Sequence, residues 1–236
     1  MRRLTSATVL TLTLALAASA PARADKPRKP KSALPAQQYP FHETHEKELV
    51  TIAAEPCDTK DALPDTRLDY AHHGFLVVRV IVTNDSNAAV NLDDARIHFI
   101  TADNTVVQAA TDEELQRRLF SSKSSAGTRI PLPSPLPDIT IHHPPVDQKI
   151  LADNNDFGFP STTIAPHTTV AGYLYYDTRN LDEPVLENAN LEVRQARFAT
   201  SSKQLDTFEI PLKPPPNAPP LKEDPIKHAP DVPKPK

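Results

Sequence analysis

Nine histidines are the residues of this chain with the most chemistry to offer, since neutral imidazole is the commonest metal ligand among side chains. They fall as His42 with His45, His72 with His73, His98, His142 with His143, His167 and His228. Adjacent residues on a strand point to opposite faces, so His72-His73 or His142-His143 can chelate only from irregular backbone. His42 and His45 are three residues apart, where the zinc-protease helix motif needs four. Cys57 is the one cysteine; it cannot form an internal disulfide and reads as a small, buried, inert thiol. A blue-copper centre is excluded, because its usual axial methionine would have to be Met1, which lies in the leader described below. The run Asp153-Asn-Asn-Asp-Phe-Gly158 has the look of a calcium loop. Phe157 at its fifth position and Ile164 at its twelfth remove the needed ligands, so it reads as a polar turn.

No nucleophile elbow, P-loop or dinucleotide fingerprint occurs, and four glycines leave little material for a phosphate cradle. The expectation is a protein that is not an enzyme and carries no cofactor. The alternative is a periplasmic metal-binding protein built on the histidine pairs. Tyr173, Tyr175 and Tyr176 read as packing residues on a strand.

The elements that must position these side chains are organised around Phe75 to Thr83, Phe-Leu-Val-Val-Arg-Val-Ile-Val-Thr, ended by the turn Asn84-Asp-Ser-Asn87. Leu76, Val78, Val80 and Val82 share one face; Phe75, Val77, Arg79, Ile81 and Thr83 share the other. Both faces are mostly apolar, so this is a central strand covered on both sides, with Arg79 in need of a carboxylate or carbonyl partner. Further strands are expected over Glu48–Ala54, Ala95–Thr101, Thr105–Gln108, Asp138–His142, Ser161–Ile164, Val170–Asp177, Leu191–Phe198 and Leu205–Leu212. Thr111 with Glu114 forms a capping box that opens a short helix through Leu115 and Leu119. The fold class expected is all-β: an antiparallel immunoglobulin-like β-sandwich of seven to nine strands, with one short helix and a long Pro-rich insertion over 121–160.

The first 24 residues, with Arg2-Arg3, an apolar run from Leu4 to Ala20 and the small-residue site Ala22-Arg-Ala24, read as a secretory signal peptide. Their removal takes Arg2, Arg3 and Arg23 and moves the net charge from −4 to −7, which argues against a nucleic-acid partner. No later run approaches the length of a membrane span. Proline is concentrated at both ends of the remainder, giving an extended linker over 25–47, a domain over 48–212 and a disordered Pro-rich tail over 213–236.

Four runs carry a resemblance: Gly74-Phe-Leu-Val-Val-Arg-Val-Ile-Val-Thr-Asn-Asp85, Leu92-Asp-Asp-Ala-Arg-Ile97, Ile141-His-His-Pro-Pro-Val-Asp147 and Phe157-Gly-Phe-Pro through Tyr176-Asp177. Over about Glu48 to Leu212 the chain resembles a group of uncharacterised secreted bacterial proteins of acidobacterial type. The resemblance implies an envelope or secreted setting, and brings no catalytic residues with it. The functional expectation is therefore an exported interaction or structural module, periplasmic or secreted, that contacts an envelope protein or cell-wall component. Binding residues are expected on the insertion, as Ile139, Ile141, His142, His143, Phe157 and Phe159, because loops on a rigid scaffold are free to present side chains.

Overall fold

The computed structural model describes residues 26–58, 62–119, 128–130, 139–141 and 146–213, the two three-residue segments by their backbone alone. The elements in chain order are β1 (His42–His45), β2 (Val50–Pro56), β3 (Phe75–Asn84), β4 (Val90–Asn91), β5 (Arg96–Ile100), β6 (Val106–Gln108) and α1 (Asp112–Leu119). They continue with β7 (Thr128–Ile130), β8 (Ile139–Ile141), α2 (Val146–Phe157), β9 (Thr163–Ile164), β10 (Thr168–Asp177), β11 (Asn190–Arg194), β12 (Arg197–Phe198) and β13 (Phe208–Pro211). The signal-peptide stretch, most of the tail, and His142, His143 and His228 lie outside the described residues.

β3 is the inner strand of a four-stranded sheet in the order β1-β2-β3-β10, paired antiparallel with β2 (Ala54 opposite Val80) and with β10 (Gly172 opposite Val80). A second sheet runs β13-β11-β5-β6, a small third one β12-β4-β9, and β7 pairs with β8. The two faces of β3 divide as the alternation requires. Val78, Val80 and Val82, with Val50, Ile52 and Ala54 of β2, meet Phe99, Leu191, Val193, Phe208 and Ile210 of the second sheet in the main core. Phe75 and Val77, with Tyr173 and Tyr175 of β10, form a second core whose cover is helical: Leu115 and Leu119 of α1, and Val146, Ile150 and Phe157 of α2.

That second core corrects the expected fold class. Among the described residues the fold is mixed α/β, with two helices and three open sheets beside the β7–β8 pair, and the immunoglobulin-like β-sandwich is set aside. A sheet with Phe75, Val77, Tyr173 and Tyr175 on its outer face cannot leave that face in water, and the helices bury it. The capping box at the start of α1 is present: the Glu114 N–H donates to Thr111 Oγ1 at 3.3 Å, and the Thr111 N–H donates to Glu114 Oε2 at 3.0 Å. Of the Asp153–Gly158 run, expected as a polar turn, residues 153–157 instead end the 12-residue helix α2, and Gly158 follows it.

The expected extended linker over 25–47 is corrected as well. Residues 36–38 form a 3₁₀ turn, the Ala36 N–H donates to Thr83 Oγ1 at 2.8 Å, and His42–His45 is a sheet strand. Ala36 covers Ile81 and Ala53, the outward-facing part of the first sheet that the helices do not reach. Arg79, 3 % exposed, finds the partners its burial demands: Nη2 donates to the Lys31 carbonyl at 2.6 Å, and Nη1 lies 3.3 Å from Glu55.

A buried ionic cluster fixes α2 to the rest. Asp153, fully buried, accepts from the Arg67 guanidinium at 2.9 Å, from the Arg67 backbone N–H at 3.0 Å and from the Tyr70 hydroxyl at 3.1 Å. Arg67 also reaches Asp156 at 2.7 Å, and Asp156 accepts the Arg28 backbone N–H at 2.9 Å. Three segments distant in sequence are thereby held together: 26–28, 65–70 and α2.

A candidate functional site: the groove at the end of the first sheet

At the edge where β2 ends and β3 begins, seven separate segments line an open groove of about 550 Å³. Phe41 comes from the residue before β1 and is placed by its carbonyl, which accepts the Ala54 N–H at 2.9 Å. Glu55, Pro56 and Cys57 arrive as β2 stops; Pro56 offers no N–H, and the Cys57 N–H then bonds the Val77 carbonyl at 2.8 Å. Phe75 and Leu76 enter as β3 starts. Gly74 makes that entry possible: its φ is +81°, and a Cβ there would fall 2.2 Å from the Arg179 side chain. Arg179 is itself clamped by Asp177 at 2.9 and 2.7 Å, and this pairing holds the Asp177 carboxyl below the usual carboxylate range.

The opposite wall is the 178–187 loop after β10. Its start is fixed by the Thr178 N–H, which donates to the Gly74 carbonyl at 2.9 Å. It carries a cis Glu183-Pro184 peptide and a turn closed by the Glu187 N–H on the Pro184 carbonyl at 3.1 Å. Leu212 completes the wall; its N–H donates to the Ala189 carbonyl at 2.9 Å, and Lys213 follows it into the lining.

The groove lining combines apolar and acidic groups. Phe41, Pro56, Leu76, Pro184 and Val185 supply apolar lining; Glu55, Asp58, Glu183 and Glu187 supply carboxylates, and among the described residues Lys213 is the one lining cation. Glu183, Pro184 and Glu187 are exposed; Val185 and Leu186 are half-buried beneath them. Cys57 also lines the groove, but burial first, then the neighbouring Glu55 charge, push its thiol up to about 12. A thiol that stays protonated at neutral pH is a packing group, as its sequence context implies.

Of the residues expected to bind a partner, His142 and His143 lie outside the described residues, and the other four do not line the groove. Phe157 is 2 % exposed at the end of α2, its ring edge-on to Tyr173 with centroids 6.0 Å apart. Phe159 packs against β10, where Gly172 leaves the space: a Cβ there would stand 2.6 Å from the Phe159 backbone nitrogen. Ile139 and Ile141 belong to β8, opposite Ile130 and Thr128.

The described histidines are spread over the molecule. His45 stacks on Phe208 at 3.8 Å, His72 meets His73 edge-on at 5.8 Å, His98 lies 3.9 Å from Glu192, and His167 reaches Asn87 at 3.1 Å. Among the described residues no three His, Cys, Asp or Glu side chains gather in a way that could hold a metal ion. The groove was missed in the sequence because none of its segments is distinctive; only Glu183-Pro-Val-Leu-Glu187, apolar residues between two acids, carries a local hint. No family model, no curated protein and no solved structure matches this chain.

Proposed function

We propose that the protein is an exported, non-enzymatic interaction module of the bacterial cell envelope, and that it docks its partner in the groove between the β2–β3 edge and the 178–187 loop. The observation that carries this reading is the combination of an open apolar trough of about 550 Å³ with a rim of four carboxylates. Such a surface suits an extended segment that offers both apolar side chains and positive charge. Cys57, held as a thiol, gives the groove no ready nucleophile. Export is supported by the leader-like residues 1–24 and by the resemblance to secreted bacterial proteins. No helix among the described residues is long and apolar enough to cross a membrane.

The test is co-purification of the mature protein from its native envelope, comparing wild type with two surface variants. Glu183→Lys with Glu187→Lys reverses the groove rim at exposed positions, while Leu151→Glu alters an exposed site on α2. Loss of partners from the rim variant and their retention by Leu151→Glu is the expected result. Retention by the rim variant together with loss from Leu151→Glu would move the docking surface to the helical face and overturn the assignment.

A further inference from the structure

The geometry points to an occupant already present in the chain: the segment Lys213–Lys222, Lys-Pro-Pro-Pro-Asn-Ala-Pro-Pro-Leu-Lys, lies in the groove of its own molecule and must be displaced before a partner docks. This deepens the reading of the groove as a docking surface and rests on it.

Position is the first argument. Leu212 is 1 % exposed, tied to Ala189, and part of the groove wall; Lys213 is the next lining residue. Pro214 therefore begins one Cα step, about 3.8 Å, from a lining residue, and no linker has to be spanned. A segment tethered at the site it fits has an effective concentration on the order of millimolar or higher, so even weak intrinsic affinity fills the groove.

Charge is the second. The ten residues carry Lys213 and Lys222 and no acid, and they face a rim of Glu55, Asp58, Glu183 and Glu187. Glu55 is already engaged by Arg79, which leaves Asp58, Glu183 and Glu187 as the carboxylates best placed to meet incoming charge.

Conformation is the third. Five prolines in ten residues give this sequence a polyproline II preference, which leaves little entropy to lose on binding and suits grooves with aromatic and apolar lining. Phe41, Pro56 and Pro184 line this one. Acidic residues begin at Glu223 and Asp224, directly after Lys222, so the stretch that is both proline-rich and free of acids is the one that leaves the groove. From sequence alone the whole tail is a solvated spacer; the place where it leaves the fold assigns its first ten residues to the groove.

The experiment uses a fluorescein-labelled peptide with the sequence of residues 213–222, titrated by anisotropy against three full-length proteins. They are wild type, a tail variant with Ser replacing Pro214, Pro215, Pro216, Pro219 and Pro220, and that tail variant with Glu183→Lys and Glu187→Lys added. A tether at several millimolar acting against an intrinsic dissociation constant of about 0.5 mM weakens apparent peptide binding about tenfold. The expected result is binding about tenfold tighter to the tail variant than to wild type, and lost when the rim is reversed. Equal binding to wild type and tail variant would overturn self-occupancy while leaving the groove as a docking surface. Binding to none of the three would also overturn it, and the co-purification result then decides independently whether the groove docks anything. Concentration-dependent dimerisation of wild type, abolished in the tail variant, would place the tail in a second copy and overturn docking within one molecule.

Discussion

Replacing Asp153 by alanine removes the acceptor at the centre of the cluster that anchors α2. The carboxylate is fully buried and takes hydrogen bonds from the Arg67 guanidinium, the Arg67 backbone N–H and the Tyr70 hydroxyl. The Arg67 side chain is 4 % exposed and cannot recover these bonds from water. Breaking a buried pair by removing one partner costs about 3–5 kcal/mol. Asp156 still faces Arg67 at 2.7 Å, which places the expected loss near the lower end, about 3 kcal/mol. Against a total stability of about 5–15 kcal/mol for a domain, that is a large fraction. The chain has no tryptophan, so urea unfolding is followed by far-ultraviolet circular dichroism; the midpoint falls and the slope is retained. Neutralising the whole cluster, Asp153→Leu with Arg67→Met and Asp156→Asn, recovers much of the loss, because no charge is then stranded. A loss below about 1 kcal/mol for Asp153→Ala would mean that the pair is solvated, and that α2 does not pack on the 65–70 segment as described.

Three further outcomes are expected. Val80→Asp places an unpaired charge in the main core, at a penalty of several kcal/mol, and prevents folding; cooperative unfolding at a near wild-type midpoint would contradict the role given to β3. Cys57, with its thiol pushed up to about 12, reacts with iodoacetamide at pH 8 about a thousandfold more slowly in the folded protein than in urea, and equal rates would show that it is exposed. The Asp156 carboxyl is held below its ordinary value chiefly by the Arg28 backbone N–H, then by Arg67, so its stabilisation is complete above about pH 4 and is lost as pH falls through the folded value; urea midpoints of Asp156→Asn should fall less on acidification than those of wild type.

What could be read from residues alone was local. The alternation in Phe75–Thr83 divides the side chains between two faces as the two cores do, and Arg79 has the carboxylate and carbonyl its position required. Thr111 and Glu114 mark the start of α1 within a residue. The helix α2 was not legible, for a specific reason. Its buried positions are Val146, Ile150, Asp153 and Phe157, a helical spacing in which one apolar slot is taken by an acid. That acid is acceptable only because Arg67 and Tyr70 arrive from more than 80 residues away. Pro144-Pro145, read as a break in regular structure, stands immediately before the helix, where a missing N–H costs nothing. β1 was hidden similarly: His-Glu-Thr-His has the composition of a solvated tail, and it forms a strand because β2 offers it an edge. The groove is a tertiary object whose walls come from residues 40–76 and 178–213, and no spacing within either announces the other.

The docking surface is tested most directly by position-specific photo-crosslinking in the native envelope. A benzoylphenylalanine is placed at Val185 in the groove wall or at Leu151, 57 % exposed on α2. A groove that binds the partner predicts a discrete adduct from position 185 that disappears when Glu183→Lys and Glu187→Lys are added, with none from position 151. An adduct from position 151 alone would contradict it and return the partner surface to the helical segment.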